Sequence, residues 1–315
     1  MTRAEEYEEL RSLLLSIAYR MTGRVTEAED LVQEAFFRLE RARQSGVVVE
    51  SPRAYLAAIT TRLAIDHQRS ARARRETYVG TWLPEPIVAN LRDGPEQMAE
   101  LSDSLSMAFL VLLESLSPVE RAVFLLREVF DYPYEDIASI VDKSEVNCRQ
   151  IFARARQHLD GHQVRYEASI EQSEALLRSF IAAARDGDLD QLVALLAPDA
   201  VLYGDGGGKA NAIREPLNGR DRIAAFLIAL FKRAPRLGVR VEAVLVNGGP
   251  GIIAHDPDGK IVSVFSLDVL DGVIQTVRGI VNPDKLHHLG DVSDMARLRR
   301  YAPDHQTRDI DDIRG

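Results

Sequence analysis

Residues 134–159, YEDIASIVDKSEVNCRQIFARARQHL, read as a helix, a tight turn and a second, basic helix. Ile137, Ala138 and Val141 share one face of the first helix. Asp142-Lys143 breaks the period, and Ser144 is a good N-cap for the second helix, because its hydroxyl can accept from an orphan backbone N–H. Cys148, Phe152, Ala155 and Leu159 then recur at three- and four-residue steps and make the predicted buried stripe. The opposite face carries Asn147, Arg149, Gln150, Arg154 and Arg156. A short helix with a basic, amide-bearing face suits the major groove of DNA, since Arg pairs with guanine edges and phosphates, and Asn and Gln with adenine. An ordinary helical hairpin with a solvated charged face would show the same pattern, and this segment alone does not separate the two.

The rest of the chain sets bounds on that reading. Its 315 residues allow two or three domains with cores of their own. The net charge is −9, so any surface for nucleic acid has to be local. The single cysteine, Cys148, excludes an internal disulfide and any multi-cysteine metal site, and its place in the stripe points to packing rather than redox switching. No metal and no cofactor are expected. The start, MTRAEEYEEL, is charged and helical rather than a signal peptide, and no apolar run approaches the roughly 20 residues of a membrane span. A soluble, cytoplasmic protein with no membrane contact is expected.

Residues 1–76 read as helical. The first helix buries Leu10, Leu14, Ile17 and Ala18, with Tyr7 on the same face, and ends at Thr22-Gly23. Thr26 and Glu29 form a predicted capping box for the next helix, with Ala28, Leu31, Val32, Ala35, Phe36 and Leu39 inside and Asp30, Gln33, Glu34 and Arg38 outside. Ser51-Pro52 starts a third helix whose far end turns basic at His67, Arg69, Arg72, Arg74 and Arg75. Prolines in TWLPEP and DGPE mark a linker over 77–96. Helices resume over 97–168, where Ser117-Pro118-Val119-Glu120 is a further cap-plus-Pro start. From 169 to 290 the pattern becomes mixed: two helices, a strand ending in DGGGK, another helix, and four β-rich runs separated by GGPG, PDG and DG. The charged tail, 291–315, is expected to be disordered.

Two basic helices separated by a linker suit two contacts on one DNA. The interleaved Tyr55, Thr60, Thr61 and His67 of the third helix could stack on or bond to unpaired bases. The segments EAEDLVQEAFFRL, PRAYLAAITTRLAIDHQRSARARR and LSPVERAVFLLREVFDYPYEDIASIVDKSEVNCRQIFARARQHL resemble, in order and spacing, regions 2 and 4 of extracytoplasmic-function sigma factors, the bacterial subunits that direct RNA polymerase to promoters. The stretches Trp82-Leu83-Pro84-Glu85-Pro86, Asp205-Gly206-Gly207-Gly208-Lys209 and Asn282-Pro283-Asp284-Lys285-Leu286 resemble signatures of a subgroup that fuses a SnoaL-like domain, of NTF2-like cone fold, to the C-terminal side.

The resemblance implies a multidomain fold, two all-α sigma domains followed by an α+β cone domain, with core RNA polymerase and promoter DNA as partners. It implies roles by position. Asp30, Gln33 and Glu34 would dock on the clamp of the largest polymerase subunit, Arg62, His67, Arg69 and Arg72 would read the −10 element, and Asn147, Arg149, Gln150 and Arg154 the −35 element. Trp82, Pro84, Asp205, Lys209, Asn282, Asp284 and Lys285 would form interdomain regulatory contacts, with the C-terminal domain acting in cis. Arg62 stands where many such factors carry Asn, and Asp142 where Gly is usual at the turn. Asp tolerates the left-handed conformation better than most residues, so the turn should survive.

A cone fold does not itself imply activity. Tyr203, Asp205, His255 and Asp268 are the candidate acid–base residues, and the residues place no pair of them within reach of one substrate proton. His255 should lie beside a hairpin, because Asp256-Pro257-Asp258-Gly259 comes directly after it. The loop GDGGGK lacks the P-loop spacing and reads as a flexible connector rather than an anion cradle. The expectation is therefore not an enzyme. A ligand-sensing helix-turn-helix regulator is the alternative, with a small ligand in the C-terminal domain. The acidic second helix separates the readings, because a simple repressor has no use for it.

Overall fold

The computed structural model describes residues 3–75, 78–89, 106–159 and 170–294, and the side chains of 3–6, 71–75 and 170–171 stand outside that description. Expected features that fall at 90–105, 160–169 and 295–315 lie outside the described residues. The chain divides into two compact units: 1–78, 83–85 and 103–164 form the first, and 79–82, 86–102 and 165–315 the second.

The first unit is helical. α1 (Arg3–Thr22), α2 (Val25–Gln44) and α3 (Pro52–Arg75) pack through Leu14, Ile17, Met21, Leu31, Val32, Ala35, Leu56 and Ala64, the apolar positions at three- and four-residue spacing. Tyr7 stays 47% exposed and rests on Phe36, with ring centroids 4.4 Å apart. The start of α2 departs from expectation. Its N-cap position is Arg24, which makes no side-chain capping bond, and Thr26 is exposed. The orphan amides are met instead by Glu85, 60 residues beyond Val25 in the chain: its carboxylate accepts from Val25 N at 2.8 Å and from Arg24 Nε at 2.7 Å. A buried carboxylate at a helix N-terminus meets both the free N–H groups and the positive end of the helix dipole.

The same unit contains α4 (Met107–Leu113), α5 (Pro118–Glu128), α6 (Tyr134–Val141) and α7 (Glu145–Leu159). The capping box at Ser117 and Glu120 forms in both directions. Asp142 ends α6 in the left-handed region at φ 54°, ψ 57°, and Ser144 Oγ accepts from Asn147 N at 3.3 Å, so the turn is built as the residues predict. Arg121 is fully buried and paired with Glu114 at 2.6 Å, and burial lowers its guanidinium to about 9.

The second unit opens with β1 (Val88–Ala89), inside the predicted linker. α8 (Ile170–Asp186), α9 (Leu189–Ala194), β2 (Leu196–Asp205), β3 (Leu217–Asn218), α10 (Arg220–Arg233), β4 (Arg240–Val246), β5 (Gly249–His255), β6 (Ile261–Leu270) and β7 (Val273–Ile280) come after it. The sheet runs β1-β4-β5-β6-β7-β2-β3, antiparallel except for the β2–β7 pair. Leu202, Ile252, Phe265, Leu267 and Val277 face α8 and α10 and close a core with Phe180, Leu177, Ile223 and Leu227. Asn247-Gly248 is the β4–β5 turn, both residues at positive φ, so the GGPG reading is one residue late and Gly249 to Gly251 belong to β5.

Leu83, Pro84, Glu85 and Pro86, inside the expected linker, are buried, and Ile87 and Asn247 exchange hydrogen bonds. Two other expectations change. The glycine loop is a closed turn rather than a flexible connector, with Lys209 N and Ala210 N both donating to Gly206 O; a Cβ on Gly206 would come within 2.2 Å of Ala210 O. The fold also continues past residue 290, because Asp291 and Ser293 bond to both sides of Ile261 and the Ser293 hydroxyl donates to Asp256 at 2.7 Å.

Candidate nucleic-acid interface and the buried linker cluster

α7 turns Cys148, Ile151, Ala155 and Leu159 inward, and burial raises the Cys148 thiol above its ordinary value. Ile151 takes the core position expected of Phe152, which is only half-buried. Arg149, Gln150 and Arg154 are exposed and Asn147 is half-buried. Arg149 also bonds Glu145 at 3.3 Å. The outermost positions include Val146, 66% exposed, which the basic pattern hid; its signal was its place four residues before Gln150, opposite the buried stripe.

On α3, Arg62 is exposed, but Nε donates to Ile140 O at 2.9 Å and Nη2 to Ser139 O at 2.7 Å, the closing carbonyls of α6. His67 Nε2 lies 2.8 Å from Glu27 Oε2, and Arg69 pairs with Asp66 at 3.2 Å. The side chain of Arg72 lies outside the described residues. Thr60 and Thr61 are completely buried, so they cannot meet unpaired bases as the sequence suggested; the period of α3 turns them toward the core. Along α2, Asp30 and Gln33 are exposed and Glu34 pairs with Arg38 at 2.7 Å. Phe37, 57% exposed with Arg41 over its ring at 5.6 Å, extends that strip and escaped the charge-based reading.

In the second unit the three motif segments converge. Lys285 Nζ donates to Asp205 Oδ2 at 2.6 Å, both side chains buried, and lies 4.2 Å from the centroid of the Trp82 ring. Asn282 Oδ1 accepts from Asp284 N at 3.1 Å, and Asp284 pairs with Lys209 at 2.5 Å. Asp205 O accepts from the amides of Val281 and Asn282. Trp82, Asp205, Lys209, Asn282, Asp284 and Lys285 are thus one cluster within one unit, while Pro84 sits in the 83–85 segment of the other.

Two of the four acid–base candidates are carboxylates taken up by cations. Asp205 is held by Lys285, Asp268 by Arg278, and Tyr203 lies beside Arg278 on the neighbouring strand. His255 ends β5 next to the hairpin, 3.9 Å from Glu242.

Comparison with known proteins agrees with this geometry. Sigma-70 region 2 matches residues 7–74, Sigma-70 region 4 matches 106–159, and the SnoaL-like domain matches 177–280. The ECF RNA polymerase sigma factor SigJ of Mycobacterium tuberculosis is 36% identical over 290 residues, covering 89% of this chain and 92% of that protein. The probable ECF sigma factor SigI of the same species is 31% identical over 281 residues, covering 89% and 93%. The crystal structure of M. tuberculosis SigJ superposes with a TM-score of 0.73 at 33% identity, over 90% of this chain and 98% of that one. Two helical sigma regions, a helix-turn-helix with an outward basic face and a fused mixed-sheet domain make this chain a member of the extracytoplasmic-function sigma factors that carry a SnoaL-like domain.

Proposed function

We propose that this sigma factor reads its promoter with two helices and is controlled in cis by its SnoaL-like domain. The observation that carries the reading is the outward face of α7, where Arg149, Gln150 and Arg154 stand clear of a fully buried stripe. In this reading α7 enters the major groove at the −35 element, with Asn147 near its edge. α3 meets the −10 element through Arg62, His67, Arg69 and Arg72, and Arg62 must first leave the carbonyls of Ser139 and Ile140. The strip of Asp30, Gln33 and Glu34 on α2 docks on the polymerase clamp, since a carboxylate face needs a basic partner. The domains are assigned as 1–76 and 97–168 for the sigma regions and from 169 for the regulatory domain. The protein acts beside polymerase in the cytoplasm and is not itself a catalyst.

The stretch from Trp82 to Pro86, buried from Leu83 onward, supports control in cis. Trp82 meets Lys285 in one unit while Glu85 caps α2 in the other, so a change at either end reaches a segment that both need. The helix-facing side of the sheet is filled by Leu202, Ile252, Phe265 and Leu267, which favours contact-based control over a bound small ligand.

Transcription with core polymerase from a promoter library tests the reading. The full chain should start at a defined promoter, and truncation after Asp291 should change the output differently from truncation after Ala168. Equal output from all three chains refutes control in cis, and duplex binding without polymerase-dependent initiation would favour the ligand-sensing regulator.

A further inference from the structure

Arg149 is held from two sides. Its guanidinium carbon lies 4.4 Å from the ring centroid of Tyr134, and Nη2 donates to Glu145 Oε2 at 3.3 Å. Tyr134 opens α6 and is only half-buried, so this ring lies where the helix-turn-helix meets solvent. A second guanidinium, that of Arg127, lies over the same ring at 5.3 Å and is itself fixed by Asp131 at 3.2 Å and by Tyr132 O at 3.1 Å. Behind Tyr134, Phe152 meets it nearly edge-on, with centroids 6.2 Å apart and planes at 77°. Phe152 stacks on Phe124 at 6.0 Å, and Phe124 reaches Phe109 at 6.3 Å. The Tyr134 ring is therefore anchored through an aromatic chain to the buried centre of this helical group.

A guanidinium lying on an aromatic face keeps its N–H edges in its own plane, free to meet an acceptor. Bidentate bonding to the O6 and N7 of guanine demands that plane in a fixed orientation. An arginine on an unsupported stem finds it only after losing rotamer freedom on binding.

We propose that Tyr134 is a positioning residue for promoter recognition: its ring holds the Arg149 guanidinium in place, so that the fork exchanges Glu145 for a guanine edge in the −35 element. This rests on the reading of α7 as the −35 helix. Tyr134 touches no base in this scheme. It sets how strongly one base position is preferred, while Asn147, Gln150 and Arg154 read theirs without it.

The test uses the full chain with core polymerase on promoters randomised at the −35 element, taking as reference the sequence the unsubstituted chain selects. Arg149→Ala should abolish preference for guanine at one position. Tyr134→Leu should weaken preference at that same position by about two- to fivefold, the worth of an exposed cation–π contact, and leave the others unchanged. Pentafluorophenylalanine at position 134 keeps the shape but reverses the charge on the ring face, so it should weaken that preference at least as much, and it serves where the leucine variant fails to fold. Tyr134→Phe should retain it, and Tyr134→Leu added to Arg149→Ala should change nothing further. Unaltered preference with the fluorinated ring, or a loss spread evenly over every position, would overturn the proposal. Should Arg149→Ala shift no position, the reading of Arg149 fails as well, and the two failures are told apart by that variant.

Discussion

Removing the Glu85 carboxylate should loosen the first turn of α2, although Glu85 lies far from that helix in sequence. The carboxylate is fully buried and accepts from Val25 N at 2.8 Å and Arg24 Nε at 2.7 Å, with Thr26 N at 3.4 Å. Loss of an N-cap costs about 1 kcal/mol, and a hydrogen bond to a charged group is worth roughly 1.5–3 kcal/mol. The two overlap, since the same oxygens serve both, and Arg24 can turn to water, so Glu85→Ala should cost about 2–3 kcal/mol. Glu85→Gln keeps an acceptor for the amides but loses the charge, and about 1 kcal/mol is expected. Hydrogen exchange measures this residue by residue: each 1.4 kcal/mol is a tenfold change, so the Val25 and Thr26 amides should exchange at least about tenfold faster in Glu85→Ala, with a smaller change in Glu85→Gln. Amides in the middle of α1 serve as the internal reference. Unchanged exchange at Val25 and Thr26, or equal acceleration throughout the helical unit, would refute the claim that this carboxylate caps α2. The strip at Asp30, Gln33 and Glu34 begins one turn further along, so the same variant should weaken polymerase binding.

Other outcomes rest on the same geometry. Lys285→Met strips a buried carboxylate of its cation and should destabilise the second unit by about 3–5 kcal/mol in urea unfolding, whereas Lys285→Met with Asp205→Leu should recover most of it; equal losses in both would refute the pairing. Trp82 is the only tryptophan, so its emission should shift in Lys285→Met at native conditions, and an unchanged spectrum would count against the ring–ammonium contact. Asp142 sits at φ 54°, so Asp142→Gly should stabilise the helical unit by about 0.5–1 kcal/mol and Asp142→Val should destabilise it, read by thermal unfolding. Burial alone would push the Asp256 carboxyl up, but the Ser293 hydroxyl and the amides of Lys260 and Asp258 outweigh it and hold the carboxyl below its ordinary value. Its contribution to stability is therefore present above about pH 4 and lost as pH falls through the depressed folded value. Ser293→Ala should raise that carboxyl and move the onset of acid unfolding to higher pH, and an NMR titration of Asp256 that does not move would refute it.

The amino-acid sequence by itself determined the helices, the turn at Asp142 and the outward basic face of α7. Each depends on neighbours within four residues: the apolar period, the Ser144 and Ser117 caps, and a residue tolerant of the left-handed region. Family membership was legible for the same reason, since short motifs in a fixed order carry it. The tertiary structure alone decided what occupies the start of α2, where Thr26 looked the better cap by local rules and a buried carboxylate from the linker took the amides instead. It alone joined Asp205 to Lys285 and Trp82, and laid Arg62 on the carbonyls of Ser139 and Ile140. Such pairs lie far apart along the chain, and no periodicity records them. A charged side chain has the same local signature whether it meets water, DNA or a distant partner in its own chain; only the packing that excludes water from Glu85 and Asp205 distinguishes them.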